Sequence, residues 1–230
     1  IEVDGPKVTV RPGGKLTATT IDVPSDISSA AFFMVAASIA KDSDITLQHV
    51  GINPTRVGVI NILRLMGANI DMLNEREVGG EPVADLRIRS AQLKGIQIPE
   101  DQVPLAIDEF PAIFIAAACA QGETVLTGAE ELRVKESDRI QAMVDGLLVL
   151  GVDIKGTNDG AIIQGFGEGG AFTGGEIVTH HDHRIAMSFT LASLRSKGDI
   201  KVLDCAHVAT SFPGFVELAQ GAGVNVSIGS

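Results

Sequence analysis

The sequence is short of cysteine, of positive charge and of long apolar runs, and each shortage closes off a class of protein. Cys119 and Cys205 are the only cysteines among 230 residues. They lie in "IAAACA" and "KVLDCA", share no metal-ligand or disulfide-framework spacing, and read as reduced, buried thiols of a reducing compartment, with a catalytic Cys205 as the minor alternative. Lys and Arg number 18 against 29 Asp and Glu, a net charge of −11. That balance opposes nucleic acid or an anionic membrane as a partner. No apolar run approaches the roughly 20 residues of a membrane span, and the N-terminus lacks the basic-then-apolar layout of a secretory signal. The expected protein is soluble and cytoplasmic. A first residue of Ile rather than Met reads as processing, or as a piece cut from a longer chain.

What is present is a core. An apolar fraction of 45% with 20% charged residues suits a globular chain. Three segments share one order of events: an aspartate, a helix apolar on nearly all sides, a short strand, a capped amphipathic helix, a glycine and another strand. Asp26 precedes "ISSAAFFMVAASIA", "DITLQHV", "NPTRVGVINILRLMG" and "ANIDML"; Asp108 precedes "EFPAIFIAAACA", "ETVLTGA", "SDRIQAMVDGLLVLG" and "VDIKG". Asp182 precedes "HRIAMSFTLASL", "DIKVLDC", "TSFPGFVELAQGAG" and "VNVSI". The spans Asp26 to Gly67, Asp108 to Gly151 and Asp182 to Gly223 match closely. Asn53, Ser137 and Thr210 are cap-type residues at matching distances before those glycines, and Pro54 suits a first helical position.

Helices apolar all round must be enclosed, so the expected fold is α/β and pseudo-threefold, an inside-out arrangement of repeated βαβαββ units with buried helices. Residues 1–22 belong to no copy, while 23–230 hold all three.

Two phosphate-type motifs fail on context. "GFGEGG" satisfies G-x-G-x-x-G at Gly165, Gly167 and Gly170, but no amphipathic helix follows, so it reads as a turn. "PGGKLT" has Leu16 where a phosphate loop needs Ser or Thr, and reads as a loop. "THHDHR" offers His180, His181 and His183 around Asp182, enough for a metal site. The repeat gives a competing and preferred reading, with Asp182 as helix cap and His183 and Arg184 in an anion-facing first turn. No metal and no cofactor is expected.

"ELRVKESDRI" crowds Arg133, Lys135, Glu136, Asp138 and Arg139 into a helix entrance where the dipole is already positive. If the repeat brings several helix starts together, Lys135, Arg139 and Arg184 make an electropositive floor for a small, multiply anionic ligand. The plainer alternative is that Arg139 pairs with Glu136 three residues away and Lys135 is a solvated surface residue. Asp108 reads as an N-cap, as a base toward a substrate hydroxyl, or as both.

"LRVKESDRI", "IDEFPAI", "HHDHRIAM" and "ATSFPGF", in that order and at those separations, resemble the C-terminal half of the 5-enolpyruvylshikimate-3-phosphate synthase family. The resemblance covers nearly the whole chain. It implies transfer of the enolpyruvyl group of phosphoenolpyruvate to the 5-hydroxyl of shikimate 3-phosphate, by addition and elimination, without a metal. It implies Asp108 as acceptor of the hydroxyl proton, Glu136 as donor to the methylene carbon, Lys135 as a contact of the shikimate substrate, and Arg139 and Arg184 as holders of phosphoenolpyruvate, with His183 lining the site. Two positions depart: Thr210 stands where some members carry lysine, and Glu131 where some carry asparagine. The resemblance further implies that residues 1–22 are the last strand of a missing N-terminal domain plus a hinge, and that this domain is the required partner. A sister transferase acting on UDP-N-acetylglucosamine and a non-catalytic anion-binding module are the alternatives.

Overall fold

A computed structural model describes residues 1–229. Strands β1 (Glu2–Asp4) and β2 (Lys7–Thr9) form a small, largely exposed antiparallel hairpin, and residues 10–24 contain no helix or strand. Asp26 opens the buried part of the chain. Its carboxylate accepts from the N–H groups of Ser28 and Ser29 at 3.2 and 3.0 Å, the cap predicted from sequence. In the helix that follows, α1 (Ile27–Ile39), every residue but Ser29 is buried.

After β3 (Asp44–Gly51) the structure departs from expectation. "NPTR" is a turn: Asn53 Oδ1 accepts from Thr55 N at 3.0 Å, and Arg56 N donates to the Asn53 carbonyl at 2.8 Å. Helix α2 covers only Gly58–Leu65, so Asn53 is not its cap and Pro54 is not its first residue. The side-chain oxygen that was expected to cap the helix closes the turn instead. Strands β4 (Asn69–Val78) and β5 (Glu81–Arg89) complete an antiparallel sheet in the order β3-β5-β4.

The second segment repeats this sheet. Helix α3 (Phe110–Cys119) is buried at every residue. It leads to β6 (Gln121–Leu126), α4 (Arg139–Val149), β7 (Asp153–Gly156) and β8 (Ala161–Phe166), paired as β6-β8-β7. Two caps differ from expectation. Asp138, not Ser137, caps α4 by accepting from Gln141 N at 2.9 Å, because the Ser137 hydroxyl is given to Asp182. Asp108 does not cap α3; Glu109 holds that position with φ −92° and ψ −8° and no side-chain cap bond.

The third segment is different in outline. Strands β9 (Gly175–Val178) and β10 (Ile200–Leu203) pair in parallel on either side of α5 (His183–Ala192), whose cap is Asp182 as expected. The same relation, reduced to isolated bridges, links Ser25 to Val50 around α1 and Gln97 to Val125 around α3. Thr210 lies inside the short α6 (Val208–Ser211) and caps nothing. Pro213 and left-handed Gly214 break the run before α7 (Phe215–Gly221). The strand expected at "VNVSI" does not form among residues 224–229.

Gly67, Gly151 and Gly223 adopt φ of +95°, +80° and +92° just past α2, α4 and α7, the left-handed closure that the repeat predicts. Helices α1, α3 and α5 pack on one another, with the sheets and α4 around them. Gly146 of α4 lies against the Phe189 ring of α5, where a Cβ would come within 2.2 Å of the ring. At the far end of these helices Arg195 donates to the carbonyls of Gly167, Glu168 and Gly170 at 3.0 to 3.1 Å, so "GFGEGG" is a turn wrapped around a guanidinium. Cys119 is buried as expected, but Cys205 is exposed, on the short segment between β10 and α6. Among the described residues no helix is long and apolar enough to cross a membrane.

Candidate active site

The starts of α3, α4 and α5 meet in one network of polar side chains, centred on Arg139, and the start of α1 joins a second hydrogen-bonded chain through Ser28. This arginine is the first residue of α4 and is only 1% exposed. Its Nε donates to Asp182 Oδ2 at 2.9 Å, Nη1 to Asp108 Oδ1 at 3.1 Å and Nη2 to Glu136 Oε2 at 2.5 Å. Every guanidinium nitrogen is therefore satisfied by a different carboxylate, which is what a buried charge requires. The Glu136 pair anticipated from sequence exists, but it is one of three, and Arg139 is no surface residue.

Asp182 is fully buried and does several jobs at once. One oxygen caps α5 by accepting from Arg184 N at 2.9 Å, while the other takes Arg139 and the Ser137 hydroxyl, the latter at 3.0 Å. Burial pushes its carboxyl up, but the bonds from Arg139, Arg184 N and Ser137 outweigh it and hold the group below the ordinary carboxylate range.

Asp108 faces the cations rather than a helix end. Lys135 Nζ stands 3.4 Å from its Oδ1, and Arg184 Nη1 donates to its backbone carbonyl at 3.2 Å. Burial again works to raise the carboxyl, and Arg184, Lys135 and Arg139 together override it, so Asp108 is held ionised. Lys135 also bonds Glu131 at 2.5 Å, and that bond, with the nearby Asp108, raises its ammonium above the usual lysine value. With its side chain 20% exposed, Lys135 is not the solvated residue of the plainer reading.

His183 and Arg184 occupy the first turn of α5 as expected. Burial and the neighbouring Arg184 lower the His183 imidazole, favouring its neutral form. His180 and His181 lie before the helix with left-handed φ of 53° and 61°, and the His181 ring packs edge-on against His207. Among the described residues no group of three or more His, Cys, Asp and Glu is arranged to hold a metal ion. Thr210 is exposed, and its hydroxyl donates to the His207 carbonyl.

The arrangement gives an ionised carboxylate beside three cations at the ends of buried helices, and comparison with known proteins gives it a family. The family model for EPSP synthase (3-phosphoshikimate 1-carboxyvinyltransferase) matches residues 1–218. This chain belongs to the EPSP synthase family. A 3-phosphoshikimate 1-carboxyvinyltransferase of Methylococcus capsulatus is 65% identical over 98% of the chain and 51% of its own length, and one from Nitrosococcus oceani is 62% identical over 100% and 51%. The chain thus spans about half the length of the curated relatives it matches. An EPSP synthase structure from Acinetobacter baumannii superposes with a TM-score of 0.92 at 62% identity, over 95% of this chain and 50% of that one. The enolpyruvyl transferase NikO from Streptomyces tendae shares the mixed α/β fold, with a TM-score of 0.65 at 17% identity over 88% of this chain and 44% of its own.

Sequence reasoning missed three members of this EPSP synthase-family network. Ser28, Glu109 and Arg56 form a chain next to Asp108: Ser28 Oγ donates to Glu109 Oε1 and accepts from Arg56 Nη2, both at 2.5 Å. A charge directly before the apolar run of α3 was the available signal. A carboxylate on the way into a fully buried helix needs a partner, and none lies nearby in sequence.

Proposed function

We propose that this chain supplies one wall of an enolpyruvyl transferase site. Joined to an N-terminal half, it moves the enolpyruvyl group of phosphoenolpyruvate to the 5-hydroxyl of shikimate 3-phosphate and releases phosphate. The observation that carries the reading is Asp108: a carboxylate held ionised by Arg184, Lys135 and Arg139, at the mouth of a floor built to receive anions. Asp108 accepts the hydroxyl proton as the oxygen attacks C2 of phosphoenolpyruvate, and Glu136 gives a proton to C3. Phosphate then leaves C2 while the Glu136 carboxylate takes one methyl proton back from C3, which restores the double bond. Lys135 contacts the shikimate substrate, Arg139 and Arg184 hold phosphoenolpyruvate, and His183 lines the site in its neutral form.

Glu136 has to leave Arg139 before either can act. It is half exposed whereas Arg139 is buried, so the glutamate is the partner that moves. An anionic group of phosphoenolpyruvate replaces it on Nη2, and the displaced carboxylate takes up a proton from solvent, which it then delivers to C3.

The finer architecture belongs to the same reading: a pseudo-threefold, inside-out domain of repeated βαβαββ units over residues 23–230. Central α1, α3 and α5, two sheets of like strand order and three equivalent glycine closures support it. Residues 1–22 belong to a preceding domain and its hinge, with the β1–β2 hairpin in place of the single terminal strand expected from sequence. The location is cytoplasmic, the substrates are the two anions, and neither nucleic acid nor membrane is a partner.

The test is Asp108→Asn in the two-domain protein. Loss of a positioned base lowers turnover by roughly 100-fold or more, with the melting temperature nearly unchanged. Full activity in that variant, or turnover with UDP-N-acetylglucosamine in place of shikimate 3-phosphate, would overturn the proposal.

A further inference from the structure

An arginine stands at or just before the start of the second helix in two of the units, and both times it stitches two buried helices together. Arg139 joins Asp108, before α3, to Asp182, before α5. Arg56 joins Ser28, in the first turn of α1, to Glu109, before α3, approaching Glu109 Oε1 at 3.8 Å. Ser28 and Glu109 are both essentially buried, so their hydrogen bonds leave them little freedom. The two arginines differ in what remains available. Arg139 has a protein acceptor on every nitrogen, whereas Arg56 is 49% exposed and its Nε and Nη1 make no hydrogen bond to another described residue.

We propose that Glu109 is a positioning residue which, through Ser28, fixes the Arg56 guanidinium so that its free edge adds a fourth cation, beside Lys135, Arg139 and Arg184, for the anionic substrates. A surface arginine normally samples many rotamers, and its contribution to binding is cut by the entropy of ordering it. Anchoring one nitrogen on a buried hydroxyl that is itself held by a buried carboxylate removes much of that loss. Glu109 follows Asp108 directly, and Arg184 Nη1 donates to the Asp108 carbonyl at 3.2 Å, so the chain adjoins the anion-binding floor. The inference rests on the proposed function, since it assumes that the floor binds anionic substrates.

The experiment uses the two-domain protein and steady-state kinetics with phosphoenolpyruvate and shikimate 3-phosphate. Arg56→Gln is expected to raise the KM of at least one substrate about tenfold with kcat within about twofold, and Arg56→Lys to recover part of the loss. Glu109→Ala should raise the same KM, and adding Arg56→Gln to it should cost little more, because both changes remove one contact. An unchanged KM in a folded Arg56→Gln protein overturns the proposal, as do Glu109→Ala and Arg56→Gln effects that simply multiply. Failure here is distinct from failure of the function itself. Wild-type turnover that Asp108→Asn abolishes and Arg56→Gln leaves intact removes only Arg56 from the site, whereas a wild type without turnover removes the functional reading.

Discussion

At the residue scale the site depends on buried charges that complete one another. Asp182 is the extreme case, since it caps α5 and is also the innermost partner of Arg139. Asp182→Ala should cost about 3–5 kcal/mol in urea unfolding, the range for stranding one member of a buried ion pair. The pH dependence follows from the same bonds. A carboxyl held below its unfolded value contributes stability that is complete above the unfolded value, near 3.8, and lost as pH falls through the folded one. Wild-type stability should therefore drop between about pH 4 and lower values more steeply than that of Asp182→Asn, when both are followed by urea titration at several pH values. Lys135, Arg139 and Arg184 were legible from sequence because positive charges at helix starts oppose the dipole and so ask for a reason, and Asp108 because the repeat sets an aspartate before each apolar helix. Glu109 and Ser28 were not, because their meaning lies in a contact between segments 81 residues apart.

At the element scale, periodicity was most dependable where burial dictated it. The three alanine-rich helices formed, with Asp26 and Asp182 as their caps. The second helices were less legible: Asn53, Ser137 and Thr210 are all good cap residues, yet none caps its helix. Each side chain found a competing partner: a donor, Thr55 N, in a turn for Asn53, and an acceptor for the other two, Asp182 for the Ser137 hydroxyl and the His207 carbonyl for that of Thr210. Helix packing also depends on an absence that no local signal explains. Gly146 lies within α4, where glycine costs about 1 kcal/mol relative to alanine, and it is there because Phe189 occupies the space. Gly146→Ala should lower stability by about 1–3 kcal/mol despite its better helix propensity. A rise in melting temperature would show that the ring can step aside.

At the scale of the whole molecule, the chain carries three mutually packed buried helices and, on the proposed reading, one wall of a two-sided site. It is expected to unfold cooperatively by itself and to show negligible turnover, because two anions cannot be oriented from one side. Incubation of the isolated chain with phosphoenolpyruvate and shikimate 3-phosphate checks this by phosphate release. Measurable product would mean that these residues suffice. The two like sheets were foreseen from the repeat, but the failure of "VNVSI" to form a strand was not, since its alternating pattern is that of a strand and it pairs with none among the described residues.

On the proposed reading, the three carboxylates around Arg139 define the kind of binding event this floor would support. It is an ion exchanger stored in loaded form, with the chain's own acids serving as resident counterions. A ligand arriving there neutralises no bare charge and gains only the difference between its own oxygens and those of Glu136. The reward is that the buried Arg139 charge is already matched, so the helices can assemble around it before any substrate is present.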